Sequence, residues 1–574
     1  MSPSDRGGPG GIDRRTFLKV VSAGAFAPSR SAAGRGAAEA LRGTARVGAA
    51  PATLYNGIRL AQPWPPNRPS FPSAPADPPY LVDPPEVIPI DVGRQLFVDD
   101  FLIEETSLER TFHRAEYHPA SPVLRPTKAW EKRDEYAERT KTRSNPAAMV
   151  FSDGVFYDPD AKLFKMWYMG GYIQNTCYAT SHDGLTWDKP SLDIVAGTNI
   201  VTHTLRDSST VWLDLAEPDR TKRYKMAYYN GGHQGLEVFL SADGVRWRKV
   251  AESGPSGDRS TFFYNPFRGV WVFSLRDDAF GNPGRHRRYW ESPDFVGGTQ
   301  WRAGQPVRWV ASDGADARRP ELDVPAEIYN LDCVAYESIL LGLFTIFRGE
   351  RYEREKPNDV CVGYSRDGFH WARPDRQAFI PVSEHVGDWN WANVQSAGGC
   401  CLMVGDRLHF YVSGRQGVPG TNLPGTCSTG LATLRRDGFV SMDHPPAARV
   451  QRVQPSSPPG TLITRPIRFT GRHLFVNADC SGGELRVDVL DRDGRVIAPY
   501  AAADCEPLRE DSTRARVAWA GAPDLAAVAG EPVRFRFHLT RGRLYAFWVA
   551  GSRNGASRGY VGAGGPAFKG IVDI

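Results

Sequence analysis

Acidic residues stand at matching places in several strand-like segments, a pattern suited to carboxylate chemistry. Asp207-Ser208-Ser209-Thr210-Val211 and Asp258-Arg259-Ser260-Thr261-Phe262 share an Asp-x-Ser-Thr-apolar order. Asn330-Leu331-Asp332-Cys333-Val334 and Phe151-Ser152-Asp153-Gly154-Val155 bring an aspartate to the same place in two more segments. Side chains two apart on a strand share a face, so Asp207, Asp258, Asp332 and Asp153 are expected to look into one hollow. Glu327, just ahead of Asn330, is expected to reach it from a connecting loop. Like charges crowded together raise one another's pKa and cost stability, which packing alone does not reward. General acid and base catalysis uses that arrangement: one carboxyl stays protonated and donates, another is ionised and accepts or attacks. The alternative is that each aspartate only caps its own turn. Arg259 either holds an ionised carboxylate or a substrate hydroxyl, or is a surface arginine.

A second chemical feature is Glu384-His385-Val386-Gly387-Asp388-Trp389-Asn390-Trp391-Ala392-Asn393. Sugar rings offer apolar faces to aromatics and hydroxyls to polar side chains, and Trp389, Trp391 and Asn393 supply both. Two tryptophans in a polar loop either bind something or fold back over the neighbouring strands.

The elements that position these residues repeat. Met149–Gly171, Ser209–Gly232, Ser260–Arg276, Asp332–Glu350 and Cys401–Arg415 each read as two strands around a turn: Asp158-Pro159, Pro218-Asp219, Asn265-Pro266, Glu337-Ser338 and Gly405-Asp406. Three copies run on into Ser-x-Asp-Gly-x-x-Trp, at Ser181–Trp187, Ser241–Trp247 and Ser365–Trp371, with weaker versions at Ser292–Phe295 and Asp437–Phe439. From Asp183 through Asp243, Asp294 and Asp367 to Asp437 the spacing is 51 to 73 residues, which fits four-stranded blades packed radially. The repetition gives the Trp of each phrase a structural role. A five-bladed β-propeller is expected over 90–445. After a Pro/Ser-rich break from Pro445 to Gly460, alternating strands over 461–574 read as a β-sandwich. Helical periodicity is scarce, so the fold class is all-β.

Ahead of these, Asp13-Arg14-Arg15-Thr16-Phe17-Leu18-Lys19 and a weakly apolar stretch to Ala27 resemble a twin-arginine signal peptide over 1–27, implying export to a secreted or periplasmic location. That stretch is too short to span a bilayer, and no other apolar run approaches membrane length. Residues 28–89, rich in Ala, Gly and Pro, read as a disordered tether. The charge balance, 70 basic against 65 acidic residues with no apparent Lys/Arg run, argues against nucleic acid as a partner. Cys177, Cys333, Cys361, Cys400 and Cys401 lie in apolar runs as small hydrophobes, and Cys480 and Cys505 are a candidate pair. No zinc-site spacing is present. No cofactor is called for and no metal assigned, with His113, His118 and His203 leaving an axial ion such as calcium open.

A five-bladed propeller followed by a β-sandwich resembles the furanosidase-type glycoside hydrolases, families 32, 43, 62, 68 and 117, and looks most like family 32-like secreted bacterial proteins. The resemblance covers roughly Ile90 to Ile574 and rests on architecture and the blade phrase. The invertase-type Asn-Asp-Pro-Asn, Arg-Asp-Pro and Glu-Cys strings are absent; the nearest are Trp389–Asn393 and Gly257-Asp258-Arg259. What it implies is a funnel on the propeller axis with one acid per blade, and hydrolysis of a polysaccharide or oligosaccharide. Within the set, Asp207 is read as base, Asp258 as base or pKa tuner, and Glu327 or Asp332 as acid, with Asp153, Arg259, Asn330, Trp389, Trp391 and Asn393 contacting substrate. The competing expectation is a carbohydrate-binding propeller without turnover. A lyase or sialidase-like enzyme fits less well, because a sialidase phrase runs Ser-x-Asp-x-Gly-x-Thr-Trp and here Gly follows Asp directly.

Overall fold

The computed structural model of the protein describes residues 52–133, 137–138, 144–230, 234–278, 284–322, 324–349, 354–445 and 458–574. The expected export signal, the first part of the expected tether and most of the Pro/Ser-rich break lie outside the described residues. Regular structure is nearly all strand; the helices Pro79–Val82 and Ala129–Lys132 have four residues each.

Five antiparallel sheets follow one another along the chain. The first holds Ala148–Asp158, Leu163–Gly170, Asn175–Ser181 and Ile200–Thr202, and the second Ser209–Leu213, Tyr224–Tyr228, Glu237–Ser241 and Arg248–Glu252. The third holds Thr261–Asn265, Val270–Asp278, Arg285–Ser292 and Val307–Val310. In the fourth, Glu327–Glu337, Ile339–Phe347 and Asp359–Ser365 are joined by Tyr560–Val561, from near the far end of the chain. The fifth pairs Asn393–Ser396 and Leu402–Val404 with Arg407–Arg415, then Cys427–Arg435, and ends on Glu116–Tyr117. Five hairpin turns therefore fall at the expected residues, because Asp, Asn, Pro and Gly either supply their own turn hydrogen bonds or accept the needed φ. The first strands of the sheets touch in cyclic order, the fifth returning to the first.

The Ser-x-Asp-Gly phrase explains that order. Asp183 Oδ1 accepts from the backbone N–H groups of Leu185 and Thr186, both at 2.8 Å, and Ser181 Oγ accepts from Gly184 N at 2.8 Å. Asp243 and Asp367 repeat these bonds within 0.1 Å. The turn then docks on the preceding sheet. Tyr411 of the fifth donates to Gly184 O at 2.6 Å, Trp167 of the first to Gly244 O at 2.7 Å, and Trp309 of the third to Phe369 O at 2.7 Å. Gly184 and Gly244 have φ near +75°, and a Cβ on Gly244 would lie 2.5 Å from the Trp167 ring. Side chains are excluded there on both counts.

Two further sheets share a second core. One runs Asp511–Arg516, His473–Asp479, Arg543–Ala550, Val440–Asp443 and Glu109–Phe112, with Gln95–Leu96 also on Arg543–Ala550; the other runs Glu484–Leu490, Arg534–Thr540, Gly460–Thr464 and Ile103–Thr106. Phe97, Leu462, Phe535, Phe537 and Phe547 fill the space between them. Residues 95–112, read from sequence as the start of the first domain, thus belong to this second body. Strand pairing over some 350 residues leaves no local trace.

Residues 52–89 are an ordered arm rather than a tether. Ile58, Leu60, Tyr80 and Ile88 are buried, Tyr55 stacks on Phe267 at 4.4 Å, and Asn56 Nδ2 donates to Arg366 O at 2.9 Å. Average composition hid these few anchors, and prolines between them reduce the entropy lost on ordering. All eight cysteines are buried and unpaired, Cys480 and Cys505 included.

Candidate active site

The tail Tyr560–Gly564 crosses one end of the ring of first strands. Its backbone bonds reach Tyr157 of the first sheet (3.0 Å), Ala335 of the fourth (3.0 Å) and Met403 in the fifth (2.9 Å). The candidate acids lie toward the other end. Asp207 and Asp258 lie just ahead of the first strands of the second and third sheets, which begin at Ser209 and Thr261. Asp153 and Asp332 sit deeper than expected, Asp153 in a bulge where pairing jumps from Met149 to Gly154, Asp332 in mid-strand opposite Leu343. All four are buried, none above 8% exposed.

Arg259 lies among them. Its backbone is left-handed at φ +59°, pinned by Ser208 Oγ accepting from its N–H at 2.6 Å and by its carbonyl accepting from Arg287 Nη2 at 2.6 Å. Such a φ costs a non-glycine residue roughly 1–2 kcal/mol and persists only where the surroundings enforce it. The guanidinium stacks 4.0 Å over the Phe151 ring and 5.6 Å from that of Tyr329. It is fully buried, so it is no surface arginine, and its Nε and Nη2 have no hydrogen-bond partner among the described residues. Burial pulls its pKa down to about 10, with Tyr329, Asp332 and Asp207 pulling the other way. Asp332 and Asp207, from different sheets, therefore act on one buried cation.

Asp332 Oδ2 accepts from Asn330 Nδ2 at 2.7 Å and Ser396 Oγ at 2.5 Å, while Oδ1 has no partner among the described residues. Burial raises its pKa, against the pull of Ser396, Arg259, Asn330 and Arg287. Asp153 is bound to Arg206 Nη2 at 2.8 Å, with neither side chain exposed, and burial pushes it up to about 6. It forms an internal ion pair instead of the expected substrate contact. Asp258 is ion-paired with Arg276 and lines an open cavity of about 590 Å³. Glu327 is the first residue of its strand, not part of a loop, and is held by Arg285 at 2.7 Å.

Four expected substrate contacts are turned inward. A Cβ on Gly414 or Gly430 would fall 2.1 Å from the Trp389 ring, so the bare glycines make the shelf on which this tryptophan folds back. Trp391 is buried beneath Arg354, 5.3 Å from its ring. Asn393 donates to Lys356 O at 2.7 Å and accepts from Gln395 at 2.6 Å, and Asn330 is spent on Asp332 and Ser396. The three histidines lie apart: His113 meets Ser441 and His203 meets Asn175, while His118 bonds Ala120 N. No group of three metal-ligating side chains occurs among the described residues.

Sequence reasoning missed the arginines of the third sheet. Arg287, fully buried, donates to Tyr329 O, Ser274 O and Ser274 Oγ, and burial lowers its pKa to about 9. The signal was present as Arg285-His286-Arg287-Arg288, whose alternate members share a face of one strand.

No protein-family model matches the chain, and no curated protein matches it in sequence. Among solved structures, similarity is found to an N-acetylgalactosamine deacetylase from F. plautii, at 14% identity and TM-score 0.36, covering 55% of this chain and 97% of the other. A fructofuranosidase from Schwanniomyces occidentalis complexed with fructosylnystose matches at 12% and 0.34, over 76% and 98%. An exo-β-1,3-galactanase from Phanerochaete chrysosporium matches at 11% and 0.33, over 74% and 99%. At such scores the activities in these names do not carry over, and the chemistry of this chain rests on its own residues.

Proposed function

We propose that the five sheets are the blades of a five-bladed β-propeller, that the two further sheets form a β-sandwich, and that the protein is an exported glycoside hydrolase acting on a polysaccharide or oligosaccharide. The observation that carries this reading is that the buried carboxyls Asp332 and Asp207, from different sheets, both act electrostatically on one buried guanidinium, Arg259, although neither is bonded to it. Asp332, whose burial favours the protonated form and whose Oδ1 has no hydrogen-bond partner among the described residues, donates its proton to the glycosidic oxygen. Asp207, ahead of the first strand of the second sheet, is the partner that takes a proton from the attacking water or stabilises the developing positive charge of the sugar. Asp258, tied to Arg276, tunes the pair from the cavity wall. Arg285 holds Glu327, which leaves Asp332 as the better donor. Export rests on the Arg14-Arg15 segment.

The experiment is a glycan-hydrolysis screen of the wild type beside Asp207→Asn, Asp332→Asn, Asp258→Asn and Glu327→Gln, with folding followed by near-UV circular dichroism. Loss of turnover in the first two with native spectra supports the assignment; wild-type turnover in both overturns it. The competing reading, a carbohydrate-binding protein, draws on the ion pairs that occupy Asp258 and Glu327. It expects glycan binding with no cleavage, and binding that survives all four changes.

A further inference from the structure

The cavity beside Asp258 has a charge pattern that a neutral sugar does not need. Its wall carries Arg276, Arg285, Arg288, Arg302 and Lys356 against three carboxylates, Asp258, Asp277 and Asp278. Arg276 is held by Asp258 and Asp278, Arg288 by Asp277, Arg285 by Glu327 at 2.7 Å and Lys356 by Glu355 at 3.7 Å. Arg302 is exposed, with no acidic partner among the described residues. Behind the wall lie two more cations, Arg259 and Arg287, fully buried and in no ion pair among the described residues. The Tyr329 ring stands between Arg259 and Arg285, at 5.6 and 5.8 Å. Half-buried Tyr229 adds a second aromatic surface, and Pro255, Leu275 and Pro306 supply apolar wall.

We propose that this cavity is a subsite for a negatively charged sugar residue, one bearing a carboxylate or a sulfate ester. Its volume of about 590 Å³ suits one or two sugar rings. Guanidinium groups match the planar carboxylate and the sulfate oxygens with paired N–H donors, and half-buried Tyr229 offers a surface to the ring. The exposed guanidinium of Arg302, which no carboxylate among the described residues neutralises, also raises the local concentration of anionic ligands. The inference rests on the hydrolase reading for the bond that is cleaved, but the binding it describes stands independently of cleavage.

The test is calorimetric titration of wild type, Arg302→Gln and Arg302→Glu with three oligosaccharide probes at low and at physiological salt: oligogalacturonides, sulfated carrageenan oligosaccharides and neutral arabino-oligosaccharides. At least one acidic probe is expected to bind about ten-fold or more tighter than the neutral one, with the advantage shrinking as salt rises. Arg302→Gln should weaken that acidic probe about three- to ten-fold, Arg302→Glu further, and neither should change the neutral probe. Preference for the oligogalacturonide assigns a carboxylate, and preference for the carrageenan fragment a sulfate. Equal or better binding of the neutral probe overturns the proposal, as does unchanged acidic binding in both variants. Acidic binding without cleavage of any glycan leaves the subsite standing and removes the hydrolase; cleavage of neutral glycans with no acidic preference does the reverse.

Discussion

Replacing Asp153 with Asn turns the buried electrostatics of this protein into a measurable slope. The carboxyl is sealed from solvent, and its pKa rises from the ordinary 3.8 to about 6 because the burial penalty outweighs Arg206 at 2.8 Å. Between those two values the folded chain keeps a proton that the unfolded chain has released. Stability must therefore fall as pH rises from about 4 to about 6, and stay lower above that. A shift of about two pKa units corresponds to about 3 kcal/mol. That is a large fraction of the roughly 5–15 kcal/mol by which a typical domain is stable.

Urea unfolding of wild type and Asp153→Asn at half-unit steps from pH 4 to 7.5 reads this directly. Asparagine imitates the protonated acid and does not titrate, so every other group cancels in the difference between the two curves. That difference should change by about 3 kcal/mol in favour of the variant between pH 4 and pH 7. Any constant offset from altered packing around Arg206 leaves the slope untouched. Parallel curves would refute the reasoning, since they would mean that Arg206 holds the carboxylate ionised in spite of burial.

The remaining predictions concern the site and the sheet contacts. Asp332→Asn should lower kcat about 10²- to 10⁴-fold on a cleaved glycan while preserving the bonds from Ser396 and Asn330, as checked by steady-state kinetics beside near-UV circular dichroism. Trp389→Ala should cost about 3 kcal/mol in denaturant unfolding by emptying the shelf over Gly414 and Gly430, and should leave glycan affinity within two-fold. Gly244→Ala should cost clearly more than Gly197→Ala, which pays only for its positive φ, roughly 1 kcal/mol, since nothing lies within 4 Å of a Cβ on Gly197. Equal costs in thermal unfolding would show that the turn is not docked on Trp167.

Some of this architecture was written locally and could be read. The hairpin turns and the Ser-x-Asp-Gly phrase obey rules spanning three to five residues, and Asp207 and Asp258 follow from them as the residues ahead of two first strands. What escaped depends on distant partners. The bulge that sinks Asp153 exists because Ser152 takes φ +64° and Gly154 φ +138°, set by packing against the second and fifth sheets. Whether Trp389 and Trp391 bind something or fold back is not decided locally, because the glycines that receive them lie up to 41 residues further on. The gathering of arginines around Tyr329 depends on bringing the third and fourth sheets together, which no local pattern announces. The arm at 52–89 has the composition of a linker, and three or four buried side chains suffice to order it.

On the proposed reading, the tail decides which end of the ring receives substrate. Gly562 N donates to Ala335 O at 3.0 Å, Tyr157 N to Ala563 O at 3.0 Å, Ala563 N to Cys401 O at 2.8 Å and Met403 N to Gly564 O at 2.9 Å, so one short segment ties the first, fourth and fifth sheets together. Its glycines make that approach possible: a Cβ would fall 2.4 Å from Cys401 O at Gly562 and 1.8 Å from Met403 O at Gly565. Backbone is thus packed across that end of the ring. The acids at the opposite end then have a closed floor beneath them, which keeps the dielectric low and lets burial raise the Asp332 pKa. On the proposed reading, the segment that closes the base beneath this proton donor comes from beyond the last strand of the second body.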